Sequence, residues 1–334
     1  MVRQINPSLA RLWTNSNSKQ YGAAGKIQLD DLTEAELRIL DYLEHGVTES
    51  QFPQLTKITK SRPQQVESLL ERLGPLVTKT SAFMAELDGI DVERQFSEIM
   101  RLYLLEHQDP KRALEIRASS RVFISSLNRT GLTILRGLSD SGVGKIFTTD
   151  QKTVSLADTL DLGFPTHLIG KQRVQAAKTL LPNTKVELHS RISQSFDRTE
   201  LAILIHSDVT PPSSYAIWLS RDVPHMAITF TESGVELSHL VIPGITPCLA
   251  CLEIDRLEQQ QNWSRIAPQL QQLDRDLSDS SVSLFAASIA LNHSLNLIDG
   301  FDFESQQLRT RMQRDGSLFQ SELPKTNCGC RLVG

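Results

Sequence analysis

The chain reads as α/β, a doubly wound and mainly parallel sheet preceded by a small amino-terminal winged-helix-like domain. Three observations predict this. From Ser119 onward apolar strands alternate with amphipathic helices; upstream, three short helices with cap signals are flanked by strand-like pieces; and 334 residues are more than one ordinary core needs. The expected organisation is an irregular lead-in over 1–26, the winged-helix-like domain over 27–90, a helical linker over 91–118 and the α/β domain over 119–334.

Residues 1–26 carry Asn, Ser, Gln and Gly without apolar periodicity, so a mobile arm is expected there. After a short strand at Ile27–Leu29, Thr33 and Glu36 form a capping box, with Leu37, Leu40 and Leu43 on one face before Gly46. Phe52, Leu55 and Ile58 mark a second helix. Ser61 as N-cap and Pro63 in the first turn open a third, whose Val66, Leu69, Leu70 and Leu73 face inward. Its exposed face mixes Arg62 and Arg72 with Glu67 and Glu71, so a structural or peptide-binding unit is expected rather than a DNA reader. Val92 to Glu106 reads as a linking helix ahead of the Asp109-Pro110 turn signal.

The second half opens with an apolar strand at Arg121–Ile124, a helix marked by Leu132, Leu135 and Leu138, and a strand at Lys145–Phe147 that delivers Asp150. Lys171 to Leu181 reads as helix and Lys185 to His189 as strand. Leu201–Ile205 is apolar throughout, as a strand buried on both faces should be, and leads to Asp208. In such a fold the turn after the first strand meets a helix N-terminus, where free N–H groups favour phosphate. Here that turn is Ser126-Leu127-Asn128-Arg129-Thr130-Gly131, which fills only the last of three glycine positions. Asp150, 24 positions after Ser126, suits a ribose-contacting carboxylate. Asp208 stands where ligands of open sheets bind, and reads equally as a turn or cap residue.

Cys248-Leu249-Ala250-Cys251 follows a Pro243-Gly244 turn, and Cys328-Gly329-Cys330 lies close to the carboxyl end. Two close thiolate pairs suit tetrahedral structural zinc; reduced thiols and a redox pair are the alternatives. Four protein ligands would close the coordination sphere, so a catalytic metal is not expected.

Composition narrows the rest. Lys and Arg number 35 against 39 Asp and Glu, a formal charge of −4, so nucleic acid is not the expected partner. The first residues show no apolar signal region, and the apolar stretch Val282–Ile298 is interrupted by Asn292, His293 and Asn296. A cytoplasmic protein without membrane spans is the expectation. On the helix from Ser281 to Ile298, Leu284, Ala287, Leu291, Leu295 and Ile298 share a face that reads as core or dimer interface, whereas Trp263, in the exposed stretch Glu258–Leu270, reads equally as part of a crossover loop or as the anchored aromatic of a surface helix.

Several of these features together resemble the ThiF/MoeB superfamily, bacterial relatives of ubiquitin-activating enzymes with a Rossmann-like domain. They are Arg129-Thr130-Gly131, the segment GVGKIFTTDQKTVSLAD from Gly142 to Asp158, Asp208 at the family's catalytic aspartate, and the PGITPCLACL and NCGC segments that hold the cysteines. With the amino-terminal unit, the chain resembles the leader-peptide-binding partner proteins of azole-forming (TOMM) cyclodehydratases. The resemblance implies a two-fold homodimer, a zinc site at Cys248, Cys251, Cys328 and Cys330, and a site for ATP and Mg²⁺ at Ser126, Asn128, Arg129, Gly131, Asp150, Lys171 and Arg173. Active relatives adenylate a carboxyl terminus. Here the family's second DxD aspartate falls at Lys152, its asparagine at Asp158 and its arginine at Asp161, while its lysine falls at Arg173, with Lys171 as substitute. Swapped charges of this kind imply a non-catalytic or weakly active protein that binds a peptide or small carrier protein, with a modification enzyme as a further expected partner. The alternatives are an active adenylyltransferase and a DNA-binding regulator.

Overall fold

The computed structural model describes residues 2–80, 94–105, 109–160, 162–182, 184–189, 198–301, 308–325 and 328–330. The chain divides between Glu115 and Ile116 into two compact units.

The first unit begins with strands β1 (Val2–Ile5), β2 (Arg11–Asn15), β3 (Ser18–Tyr21) and β4 (Ile27–Leu29). These replace the irregular arm expected over 1–26. The reason is long-range pairing: Val2 and Ile5 are buried at the ends of β1, which lies between β6 and β5, strands contributed from residues beyond 46. Ser16 and Asn17, within that expected arm, are the turn of the hairpin between β2 and β3. Then follow α1 (Glu34–His45), β5 (Val47–Thr48), α2 (Leu55–Thr59), α3 (Pro63–Leu73) and β6 (Val77–Thr80). The Thr33–Glu36 capping box of α1 forms as expected. Arg62, not Ser61, is the N-cap of α3, with Pro63 in the first helical position. Two three-stranded sheets, β5-β1-β6 and β2-β3-β4, enclose a core with Ile5, Tyr21, Leu29, Leu40, Leu43 and Leu69. Helix α4 (Phe96–Leu104) falls within the expected linker helix, of which Val92 and Glu106 lie outside the described residues. Asp109 starts α5 (Pro110–Ser119), its carboxylate accepting from Arg112 N.

The second unit contains β7 (Arg121–Ile124), α6 (Arg129–Asp140), β8 (Lys145–Thr148), α7 (Arg173–Leu180), β9 (Lys185–Leu188), β10 (Leu201–Ser207), α8 (Pro212–Leu219), β11 (His225–Thr231), β12 (Gly234–Leu237), α9 (Leu249–Gln259), α10 (Trp263–Leu270), α11 (Ser280–Ile298), β13 (Arg309–Gln313) and β14 (Leu318–Ser321). One sheet runs β14-β13-β12-β11-β10-β7-β8-β9. Its strands from β9 to β11 are parallel and the rest form an antiparallel extension. Alternation along β10 divides the core: Leu201, Ile203 and Ile205 join one apolar cluster with α6 and α11, Ala202 and Leu204 the other with Trp218. Both faces are therefore covered, and the fold is the doubly wound α/β arrangement expected.

Helix α11 is long and apolar enough to cross a membrane, yet Val282, Ala286, Ala290 and Leu295 are buried in the sheet's core. Leu284, expected on that inner face, is exposed; the buried stripe is rotated toward Val282 and Ala286. Leu291 packs against Gly137 of α6, where an added Cβ would come within 2.6 Å of its side chain.

Candidate functional site

Strand β7 leads into the sheet's middle, and β8 and β10 lie on opposite sides of it, so the chain reverses its strand order there. Such a switch point opens a crevice at the strands' carboxyl ends. A cavity of about 560 Å³ occupies it, walled by Ser126, Asn128, Asp150, Lys152, Arg173, His206 and the 270–276 segment among others.

Gly131 explains the turn's one retained glycine. A Cβ there would sit 1.8 Å from the carbonyl oxygen of Ser126, so only glycine lets α6 pack so close to the strand. Asn128 caps α6, its side-chain oxygen accepting from Gly131 N at 3.1 Å. The Asp150 carboxylate accepts from Leu127 N and Lys152 N, each at 2.8 Å. Two side-chain oxygens, one of the Asn128 amide and one of the Asp150 carboxylate, thus already engage N–H groups at the turn where a phosphate would approach.

The cations are similarly engaged. Arg173, buried, donates to Asp158 at 2.7 Å and to Asp150 at 3.2 Å. Asp158 also caps the turn at Ser155, accepting from its backbone N and its hydroxyl. Lys152 is exposed and reaches Asp274 at 3.4 Å. Arg129, Gly131 and Lys171 are not among the cavity walls; Arg129 donates instead to Ser278 O, and Lys171 is exposed. Asp161 lies outside the described residues.

Asp208 ends β10 in a left-handed backbone conformation, φ +64°, which Asp tolerates better than most residues. It is buried, and Arg275 grips both its oxygens, Nε at 2.8 Å and Nη2 at 2.6 Å. Arg275 also donates to Glu232 at 2.8 Å. Hydrogen bonds to Asp208 and then to Glu232 push this guanidinium's pKa further up, so it stays charged. Sequence reasoning missed Arg275, which lies 67 positions from its partner in a segment without periodicity. His206 adds no charge: burial lowers its pKa to about 4, and its Nε2 has no partner among the described residues. The walls hold three acids and three bases, and Asp158 and Asp208 behind the arginines tip the balance to negative. A nucleotide with Mg²⁺ does not fit this arrangement unless these ion pairs open.

The second constellation is metallic in character. Cys248 is the N-cap of α9 and Cys251 lies in its first turn, behind a loop fixed by buried His239, whose ring contacts Pro247 O at 2.6 Å. Cys328 and Cys330 join them, and all four sulfurs lie within 4.8 Å of one another. Neighbouring sulfurs are 3.0 to 3.9 Å apart, too long for disulfides and close to the roughly 3.8 Å edge of a tetrahedron with 2.3 Å metal–sulfur bonds. The donor set fits a tetrahedral thiolate-bound ion. Nearby, Trp263 opens α10 as the anchored aromatic of a surface helix: it is buried, its indole N–H donates to Glu253 at 2.8 Å and Arg256 lies over its ring.

No family profile and no curated protein matches the sequence. Solved structures do match the fold. E. coli MccB with AMPCPP and the MccA peptide superposes with a TM-score of 0.71 at 12% identity over 100% of both chains. Microcin C7 biosynthetic enzyme MccB in complex with N-formylated MccA gives 0.70, again at 12% identity over both full chains. PaaA gives 0.62 at 18% identity over 83% of this chain and 97% of its own. The chain therefore shares its fold with these structures.

Proposed function

We propose that this chain is a cytoplasmic, zinc-stabilised homodimer of the ThiF/MoeB type that binds a peptide or small carrier protein in a peptide-modification pathway without itself adenylating it. One observation carries the reading: the charged groups Asp150, Arg173 and Asp208, which the family would turn toward a nucleotide, are ion-paired with other side chains of this protein. Arg173 lies between Asp150 and Asp158, and Asp208 is held at both oxygens by Arg275. A phosphate would have to displace a carboxylate from a desolvated arginine, and Mg²⁺ would have to displace a bidentate guanidinium. Peptide binding is supported by the fold shared with MccB, whose structures hold the MccA peptide. Cys248, Cys251, Cys328 and Cys330 would hold zinc in a closed structural site.

Calorimetric titration with Mg-ATP is expected to give no saturable heat, and incubation with ATP and labelled pyrophosphate no exchange with any added peptide. ATP-dependent exchange that Asp208→Asn abolishes would overturn the proposal. The cavity of about 560 Å³ at the strands' carboxyl ends favours a second reading, an adenylyltransferase whose 270–276 segment swings aside when substrate arrives. Saturable Mg-ATP binding in Arg275→Ala but not in the parent protein would favour that second reading.

A further inference from the structure

A strand at the margin of a sheet exposes unpaired main-chain groups, and charged side chains commonly keep other strands from pairing with them. The eight-stranded sheet has two margins, β9 and β14. Strand β9 is guarded in this way, with Lys185 and Glu187 among its four residues. Strand β14 is not: Leu318-Phe319-Gln320-Ser321 has no charged residue, and all four are exposed. Leu318 and Phe319 leave 60% and 51% of their surfaces open.

Hydrogen bonding fixes which main-chain groups of β14 face outward. Arg314 N donates to Ser233 O at 2.9 Å, so by alternation Met312 and Thr310 of β13 turn their main chain toward β12. Gln313 N donates to Ser317 O at 2.9 Å, and Arg311 and Arg309 follow it toward β14, where they oppose Phe319 and Ser321. The N–H and C=O of Leu318 and Gln320 therefore point away from the sheet. Side chains alternate as well: Leu318, opposite Met312, prolongs the apolar row of Val235 and Met312 past the core, whereas Phe319, opposite Arg311, stands on the other face.

We propose that β14 pairs with β14 of a second copy of this chain, antiparallel about a two-fold axis through Phe319. The outward residues flank that axis, so Leu318 exchanges both main-chain hydrogen bonds with the second copy's Gln320, and Gln320 with the second copy's Leu318. Phe319 then meets its own copy as a non-bonded pair, the arrangement that brings side chains closest and suits two aromatic rings. A strand without charge cannot select a partner by sign; its best complement is an equally uncharged strand, and β14 is one. Nor do neighbouring charges oppose the contact. The two Arg311 stand three strand spacings apart, about 14 Å, beyond the Debye length of about 8 Å. The contact is closed, since one pairing consumes this margin in both copies while Lys185 and Glu187 guard the other. Strands of four residues bury well under the roughly 1,200 Å² of a stable complex, so the association is reversible and grows with concentration. The inference goes beyond the proposed homodimer: two homodimers assembled through another surface would be joined here into a larger assembly.

The test is sedimentation equilibrium of the full-length protein over a range of micromolar concentrations, with amide hydrogen exchange resolved by residue. Average mass should climb toward twice its dilute value. Exchange at Leu318 and Gln320 should slow as concentration rises, while Phe319 and Ser321, bonded to β13, exchange slowly throughout. Phe319→Lys sets two ammonium groups face to face, and Gln320→Pro deletes an outward N–H but no bond to β13; each should hold the mass at its dilute value. A mass independent of concentration overturns the inference; at two chains it leaves the homodimer reading standing, and at one chain it removes both. Association that survives both variants also overturns it, by moving the contact to another surface. Concentration-dependent protection confined to Lys185–Leu188 does the same, by assigning the contact to β9.

Discussion

Asp208 shows most plainly how single residues set the character of the crevice. Its left-handed backbone turns the carboxylate inward, where Arg275 meets it in a planar, two-point contact. Removing the arginine leaves a buried charge unmatched. Arg275→Ala should therefore lower the urea midpoint, by less than breaking a fully buried pair does because Arg275 is partly solvated. Urea unfolding of Arg275→Ala and of the double variant with Asp208→Asn checks this; the double variant should recover part of the loss, and a further loss there would contradict the ion-pair account. Gly131→Ala should destabilise by at least about 2 kcal/mol, since a methyl placed 1.8 Å from Ser126 O forces α6 away from the strand. The sequence revealed Gly131, Asp150, Arg173 and Asp208 because a strand-turn-helix pattern places them. It concealed Arg275 because nothing local marks a side chain that reaches 67 positions back, and it did not reveal that Arg173 would be spent on Asp158, whose acidity was legible but whose distance was not.

Among elements, the cysteines tie the first turn of α9 to the last described residues of the chain. CxxC and CxC spacing made the four ligands legible, because each pair is local and the chemistry of thiolates is specific. Strands β1 to β3 were not legible, because β1 is defined by partners more than forty positions away and its own four residues alternate only weakly. The metal reading makes a measurable claim about the joint between α9 and the chain's end. Elemental analysis of protein purified without added metal should find about one zinc per chain, and Cys251→Ser should lose it. Chelator should lower the melting temperature of the parent protein and leave Cys251→Ser unmoved. Equal melting of parent and variant with no bound zinc would return the cluster to four reduced thiols.

For the molecule as a whole, the fold class was legible because a strand such as Leu201–Ile205 is apolar throughout and β7, β8 and β10 are each followed by a helix; the pairing of distant segments was not. The same deep burial makes the second unit sensitive to acid. His206, His225, His239 and His293 are each held to a pKa of about 4, in every case mainly because burial disfavours the charged ring. In the unfolded chain these rings titrate near 6.5. Between pH 6.5 and 4 the unfolded chain thus binds protons that the folded chain refuses, so stability is complete above pH 6.5 and falls as pH drops toward 4. Each ring could account for as much as about 3 kcal/mol, and four together match the whole stability of an ordinary domain. Unfolding should therefore begin well above pH 4, near pH 5, when followed by circular dichroism. His293→Leu isolates the effect on α11, which carries none of the cysteines, and should shift the acid midpoint downward while leaving bound metal at neutral pH unchanged. An unshifted midpoint would assign acid loss to the thiolates, whose protonation releases metal over the same range, and metal release recorded in the same titration separates the two causes.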